Sequence, residues 1–148
     1  MTPKQSVSAF FDSFYARDWP RLATFFGDES VYYDVPVGPQ NAAKGAESIV
    51  KRLRSGGIDG LAAFADEHLR TVAEGDTVIT EHGEIWTWNS GETVTLPVVS
   101  VHVVQDGIIV LWKDYWNIPT LLASAPQAWS QEVATNDSSW RFDATGTY

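Results

Sequence analysis

Apolar residues recur with a helical spacing at three places in the first third of the chain. Between residues 6 and 16 they repeat every three or four positions, which predicts a helix with one apolar face. Asp18 is a suitable N-cap for a short second helix, and Pro20 is tolerated in its first turn. The spacing predicts a third helix over residues 46–54.

The pattern changes to alternation from about residue 62 to residue 117, which is typical of strands. Turn-forming residues at 74–76, 89–91 and 105–107 divide this stretch into four strands, which we expect to pair as an antiparallel meander. A further β-rich run covers residues 31–35. We therefore predict an α+β domain, in which three N-terminal helices cover one face of a curved antiparallel (mixed) sheet of five to six strands and close a pocket.

The end of the chain is less regular. A short helical segment is predicted over residues 119–124, and beyond Pro126 the sequence is polar. We divide the chain into a domain of residues 1–125 and a tail of residues 126–148. The tail is either docked over the pocket or on a partner subunit, or disordered. The aromatic residues available for docking are Trp129, Trp140, Phe142 and Tyr148.

Composition narrows the function classes. The 148 residues are 44% hydrophobic and 13% aromatic, which excludes a disordered or fibrous chain. The net charge of −9 disfavours nucleic acid as a partner. The absence of cysteine excludes disulfides and fits a reducing compartment, so we expect a cytoplasmic protein. The sequence has neither a membrane-length apolar stretch nor a signal-peptide pattern, so we expect no membrane partner and a soluble, unprocessed protein.

One of the alternating strands carries ionisable and indole side chains on the same face. These residues are His82, Glu84, Trp86 and Trp88, which occupy every second position. On the last strand Asp114 lies between two tryptophans at the same spacing. If that face is interior, Asp114 is buried and needs partners, for which His82 and Glu84 are the candidates.

The strand between these two also has an apolar inner face, and Tyr32 and Asp34 share one face of the first strand. An apolar cavity with a few convergent polar groups is typical of a small-molecule site. The predicted catalytic residues are Tyr32, Asp34, His82, Glu84 and Asp114. The predicted substrate-binding residues are Trp86, Trp88, Leu96, Val98, Trp112 and Trp116.

Structural interpretations remain open for each residue taken alone. A lone histidine such as His82 is more often a satisfied structural residue than a catalyst. Asp114 alone is more often half of a surface ion pair, here with Lys113, and a stripe of tryptophans is more often part of a core. We interpret His68 and His102 as surface or dimer-face residues. Asp66, Glu67, Glu132 and Asp137 are interpreted as solvated. One histidine with Glu84 and Asp114 is only a weak match to a metal-binding triad, so we predict no metal site.

Three segments resemble the limonene-1,2-epoxide hydrolase group within the SnoaL-like, or nuclear transport factor 2-like, proteins. They are residues 31–36 (VYYDVP), 80–84 (TEHGE) and 112–116 (WKDYW). The resemblance covers about residues 5–122. It implies a cone-shaped sheet closed by helices around a deep pocket, and a homodimer formed through the outer sheet face.

In these hydrolases a Tyr, an Asn and an Asp hold and deprotonate water, and an Arg-x-Asp pair protonates the epoxide and bridges the carboxylates. Tyr32 and Asp114 match in type, whereas Asp34 replaces the Asn, His82 the Arg and Glu84 the acidic partner. The resemblance implies that Asp114 is the general base, Glu84 the general acid and His82 the link between them. Tyr32 and Asp34 would position the water.

The leading hypothesis is therefore a cofactor-free hydrolase that opens a hydrophobic epoxide to a vicinal diol. One alternative is a dehydratase or isomerase of a hydrophobic terpenoid, polyketide or steroid-like carbonyl compound, since a His–carboxylate pair also resembles those enzymes of the superfamily. In that alternative His82 is the base. The other alternative is a non-catalytic module that binds small molecules.

Overall fold

The computed structural model describes residues 1–147, which form five α-helices and one seven-stranded sheet. The helices are α1 (Pro3–Tyr15), α2 (Trp19–Ala23), α3 (Ala46–Leu53), α4 (Ile118–Leu122) and α5 (Gln127–Thr135). The strands are β1 (Val31–Asp34), β2 (Ala42–Lys44), β3 (Ala63–Glu74), β4 (Thr77–Thr87), β5 (Thr93–Gln105), β6 (Ile108–Tyr115) and β7 (Arg141–Phe142).

Side-chain caps fix the start of the first two helices. The Thr2 hydroxyl accepts a hydrogen bond from the Gln5 amide at 3.2 Å, and the Gln5 side chain accepts one from the Thr2 amide at 2.8 Å, which completes a capping box. The predicted cap of α2 is confirmed, because the Asp18 carboxylate accepts from the Arg21 amide at 3.1 Å. The last turn of α1 then places Tyr15 above the sheet.

The strand order is β3-β4-β5-β6-β1-β2-β7, in which only the β1–β6 pair is parallel among the described strands. The predicted α+β class and curved mixed sheet are confirmed, as is the four-strand meander of β3 to β6. The strand count is seven, above the predicted five to six. The strands β2 and β7 are three and two residues long, so they are too short to show an alternating pattern.

The core lies between the inner face of the sheet and helices α1 to α3. Its largest fully buried side chains include Phe10, Leu22, Ile49 and Trp112. Register shifts mark a bulge in β3, where Leu69 is the extra residue opposite β4, and another in β6, where Val110 is the extra residue opposite β5, and both bend the sheet. The bent sheet and the helices leave a cavity at one end of the core.

The C-terminal segment packs beside this cavity. Residues 54–58 form a π-helical turn after α3, in which Gly57 has φ of +90°. A Cβ atom at Gly57 would overlap the indole of Trp129, whose Nε1 donates to the Gly57 carbonyl at 3.3 Å. The division of the chain at residue 125 stays a prediction, and Tyr148 lies outside the described residues.

Candidate functional site

A cavity of about 170 Å³ lies between the inner sheet face and helices α1, α3 and α5. Its apolar wall includes Phe14, Leu53, Ile58, Leu96, Leu121 and Trp129, and its polar groups are Tyr32, Asp34, Arg52, Glu84 and Asp114. An apolar protein cavity of about 150 Å³ accommodates benzene. The cavity therefore has the size and lining of a site for a single-ring organic molecule.

Strand alternation and register bring the carboxyl groups together. Alternation places His82 and Glu84 on the inner face of β4, and both are buried. The parallel pairing of β1 with β6 sets Asp34 directly beside Asp114, which is only 5% exposed. The interpretation of Asp114 as half of a surface ion pair is therefore wrong.

Asp34 is a charge-compensated carboxylate. It accepts hydrogen bonds from the Tyr32 hydroxyl at 2.9 Å, from Trp116 Nε1 at 2.8 Å and from Arg52 Nη2 at 2.8 Å. The Arg52 contact is an ion pair in which both side chains are largely buried. These three donors fix the orientation of the Asp34 carboxyl group in the cavity wall.

Asp114 has one oxygen held by the protein. Its Oδ1 accepts from the Ser100 hydroxyl and from Trp112 Nε1, each at 2.6 Å. Within residues 1–147, no hydrogen bond reaches its Oδ2. Burial, together with the negative charges of Asp34 and Glu84, raises the pKa of Asp114 from 3.8 to about 8, against the opposing effects of Ser100 and His82.

Glu84 is buried in the wall of the same cavity. Its carboxylate accepts from Tyr15 at 3.1 Å and from Trp86 Nε1 at 3.3 Å. Burial raises its pKa from 4.5 to about 7, although both of these hydrogen bonds act in the opposite direction. A carboxyl group with a pKa near neutrality exchanges protons readily at physiological pH.

His82 stands behind the cavity rather than in its wall. Its Nδ1 lies 2.8 Å from Asp66 Oδ1 and 3.1 Å from the Tyr15 hydroxyl, and its Nε2 lies 2.8 Å from Ser100 Oγ. Both ring nitrogens are therefore engaged by protein groups. His82 reaches Asp114 through Ser100 and approaches Glu84 through Tyr15.

The predicted substrate-binding residues divide into two groups. Trp86, Leu96 and Trp116 line the cavity. Trp88, Val98 and Trp112 do not line it but are buried in the core. Trp112 still bears on the site, because its indole nitrogen donates to Asp114.

Two sequence interpretations are wrong. His102 is fully buried, packed against Phe10, Phe11 and Trp112, rather than at a surface. The Asp66 side chain is 22% exposed and bonded to His82, rather than freely solvated. His68 is exposed, as predicted.

Sequence reasoning missed several residues of the site. Tyr15 and Arg52 come from two different helices, so no spacing in the sequence connects them with the strands. Trp129, which lines the cavity, is one of the four aromatic residues that the sequence offers for docking over the pocket. Ser100 has the same parity on its strand as the predicted binding residues Leu96 and Val98, which is typical of an inner-face position, but nothing in its own strand indicates His82 as its partner. Among residues 1–147 there is no group of three or more His, Asp or Glu side chains that could hold a metal ion.

Comparison with known protein families decides the family. A model of the SnoaL-like domain matches residues 7–112. The chain belongs to the SnoaL-like domain family. A comparison with curated protein sequences gives no match.

Solved structures similar to this SnoaL-like protein have several described activities. An LEH-like epoxide hydrolase from M. tuberculosis is 26% identical with a TM-score of 0.67, over 80% of this chain and 85% of that one. A protein described as a SnoaL-like polyketide cyclase from Shewanella putrefaciens is 14% identical, with a TM-score of 0.74 over 82% and 84% of the two chains. A Catenulispora acidiphila protein with a ketosteroid isomerase-like fold, in complex with trimethylamine, is 19% identical, with a TM-score of 0.71 over 84% and 93%.

The similarity to the last two structures concerns the fold of the SnoaL-like chain alone.

In the part of the chain that the structure covers, no helix has the length and apolar character needed to cross a membrane.

Proposed function

We propose that this SnoaL-like protein is a cofactor-free epoxide hydrolase that converts a small hydrophobic epoxide to a vicinal diol. The observation that carries the proposal is the convergence of two carboxyl groups of raised pKa, Glu84 and Asp114, on one apolar cavity. The described activity of the M. tuberculosis relative, which is the most similar in sequence of the three compared above, also supports it.

Asp114 is suited to be the general base. Because Ser100 and Trp112 hold its Oδ1, the Oδ2 atom is free to accept a hydrogen bond from a water molecule in the cavity. In the proposed step Asp114 removes one proton from this water. The water oxygen then forms a bond to an epoxide carbon as the ring C–O bond breaks.

Glu84 is suited to be the general acid. The breaking C–O bond leaves its electron pair on the ring oxygen, which takes the proton of Glu84 and becomes the second hydroxyl of the diol. Because the pKa of Glu84 is about 7, about half of the Glu84 carboxyl is protonated at neutral pH. The pKa of Asp114 is about 8, so the reactive form, with Glu84 protonated and Asp114 ionised, is the less populated arrangement of the shared proton. The proton must then return from Asp114 to Glu84 before the next turnover.

Asp34 keeps the water-positioning role that the resemblance implies, whereas Tyr32 acts on Asp34 rather than on the water. The Tyr32 hydroxyl donates to Asp34, and Arg52 compensates the charge of Asp34. Since Asp34 lies beside Asp114 in the sheet, we expect both carboxylates to accept from the same water and to aim its lone pair at the substrate. The negative charge of Asp34 also makes Asp114 a stronger base.

The geometry gives less support to a dehydratase or isomerase that uses His82 as its base. His82 does not line the cavity, and its two ring nitrogens face Asp66 and Ser100. A substrate in the cavity therefore has no direct contact with the imidazole. Binding without turnover is the remaining alternative, and it is an outcome of the experiment below.

The test is a product assay with single-ring epoxides, such as cyclohexene oxide and limonene oxide. We expect a vicinal diol from the parent protein and at least about a hundredfold slower formation with Asp114→Asn or Glu84→Gln. Glu74→Gln, a change at an exposed carboxylate at the end of β3 that does not line the cavity, should retain parent activity. Epoxide binding without diol would indicate a binding module, and full activity of Asp114→Asn would refute the assignment of the base.

We further propose a homodimer formed through the outer sheet face. Four large apolar side chains on the meander strands β3, β4 and β6 are exposed, namely Leu69, Val72, Ile79 and Tyr115. Light scattering coupled to gel filtration should give about twice the 16.4 kDa chain mass, and a monomer at micromolar concentration would contradict the proposal.

A further inference from the structure

Four polar side chains form a row across the inner face of the sheet. They are Asp66 on β3, His82 on β4, Ser100 on β5 and Asp114 on β6, which we call the polar row. Ser100 lies directly opposite Asp114, whereas His82 is diagonal to both Asp66 and Ser100 in the strand register. The row is continuous, with distances of 2.8, 2.8 and 2.6 Å between successive polar atoms.

The number of hydrogen atoms shared along the polar row depends on whether Asp114 is ionised. An ionised Asp114 can only accept, so the single hydroxyl hydrogen of Ser100 must point to its Oδ1. Ser100 Oγ can then only accept from His82, which requires a hydrogen on Nε2. The Asp66 carboxylate likewise takes a hydrogen from Nδ1. The fully bonded row thus has a donor on both nitrogens of His82, and hence one positive charge.

The order Asp–His–Ser is also that of a hydrolase triad, but the surroundings of Ser100 exclude a nucleophilic role. Ser100 is fully buried, and it does not line the cavity. Its oxygen is directed at the Asp114 carboxylate, where an attacking serine would need a substrate. The row therefore acts on Asp114 rather than on the substrate.

We propose that Asp66 and Ser100 are positioning residues that, through His82, stabilise the ionised form of Asp114. The inference rests on the proposed function for its catalytic consequence, because the general base must be ionised. Ser100 transmits the charge of His82 to Asp114, and Asp66 keeps both the ring orientation and that charge.

The other charged and titratable groups around Asp114 show why such support is needed. Asp34 on β1 and Glu84 on β4 disfavour a negative charge on Asp114, as does burial. The Arg52 guanidinium from α3 is paired with Asp34, and the hydroxyl groups of Tyr32 and Tyr15 donate to carboxylates other than Asp114. Trp112 donates to Asp114 but carries no charge. The polar row therefore supplies the positive charge that opposes these effects.

The primary test is carbon-13 NMR of aspartate carboxyl groups in the protein without substrate. Asp114→Asn identifies the resonance of Asp114. We expect Ser100→Ala to raise the pKa of Asp114 by about one pH unit or more, and Asp66→Asn to raise it by a smaller amount. Ser6→Ala, which removes another buried hydroxyl outside the row, should leave it unchanged. An unchanged titration of Asp114 in both row variants would overturn the inference.

Two further measurements separate the possible failures. Ser100→Thr keeps a hydroxyl and should keep the parent titration. If Ser100→Ala does not fold, the Asp114 titration in Asp66→Asn provides the test, because Asp66 is partly exposed. In the diol assay, the alkaline limb of kcat/KM should move upward with the Asp114 titration and the maximal kcat/KM should fall, because Asp114 has the higher of the two pKa values. If the Asp114 titration shifts in the row variants but the parent forms no diol, the hydrolase proposal is refuted and the role of the polar row stands. If the parent forms diol but the Asp114 titration does not shift in the variants, only the role of the polar row is refuted.

Discussion

The Glu84→Gln variant is expected to remove a cost to stability that the buried carboxyl imposes above neutral pH. Burial is the main reason that the pKa of Glu84 is raised from 4.5 to about 7. The folded state therefore holds a proton on Glu84 between about pH 4.5 and pH 7, where the unfolded chain has lost it. The stability that the folded state gains from holding this proton is fully present below pH 4.5 and is lost as the pH rises through 7.

The magnitude follows from the pKa difference. Each pH unit between the folded and unfolded pKa values corresponds to about 1.4 kcal/mol, so the rise to about 7 corresponds to about 3 kcal/mol. Gln is neutral at every pH and has no such dependence. The unfolding free energy of Glu84→Gln minus that of the parent should therefore increase by about 3 kcal/mol between pH 4.5 and pH 8.

The assay is urea unfolding followed by tryptophan fluorescence, at fixed protein concentration and at several pH values in this range. The exposed Glu132→Gln change is the matched control, and its stability curve should run parallel to that of the parent. Parallel curves for Glu84→Gln and the parent would refute the conclusion that folding desolvates this carboxyl.

Three more outcomes are expected. Diol formation should follow a bell-shaped pH profile with its maximum between pH 7 and 8, because Glu84 must be protonated and Asp114 ionised; full activity at pH 5 would contradict this. Arg52→Met should lower the free energy of unfolding in urea by about 3 kcal/mol, because the buried Asp34 loses its counter-charge. A decrease below about 0.5 kcal/mol would contradict the importance of this ion pair. His102→Phe should stabilise the protein by about 1 kcal/mol, because neither ring nitrogen of His102 has a hydrogen-bond partner among the described residues; a loss of stability would show that the imidazole has an unrecognised role.

The strand pattern predicted much of the site because side chains alternate between the faces of a strand. This rule alone predicts that His82, Glu84 and Trp86 share one face of a strand, and the structure buries all three. The same rule placed Asp114 on an inner face. Alternation determines faces, however, and not the register between strands. The polar row depends on that register, so Asp66 and Ser100 were not recognised as partners of His82.

The site residues contributed by helices could not be predicted from the sequence, for a different reason. Tyr15 and Arg52 reach the cavity only because α1 and α3 pack on the sheet at particular angles, which depend on the whole core. His102 has the same parity as Ser100 on β5, so alternation placed it on the inner face. It was interpreted as a surface residue because a histidine without a second ligand is more often exposed. Phe10 and Phe11 of α1, which enclose it, are distant in sequence.

The central claim is that a water molecule activated by Asp114, and not Asp114 itself, attacks the epoxide. A single-turnover reaction in oxygen-18 water, with protein in excess over cyclohexene oxide, tests this most directly. The account predicts that the first diol formed carries one oxygen-18 atom. A first-turnover diol without the label, its new oxygen having come from a carboxylate of the protein, would contradict it.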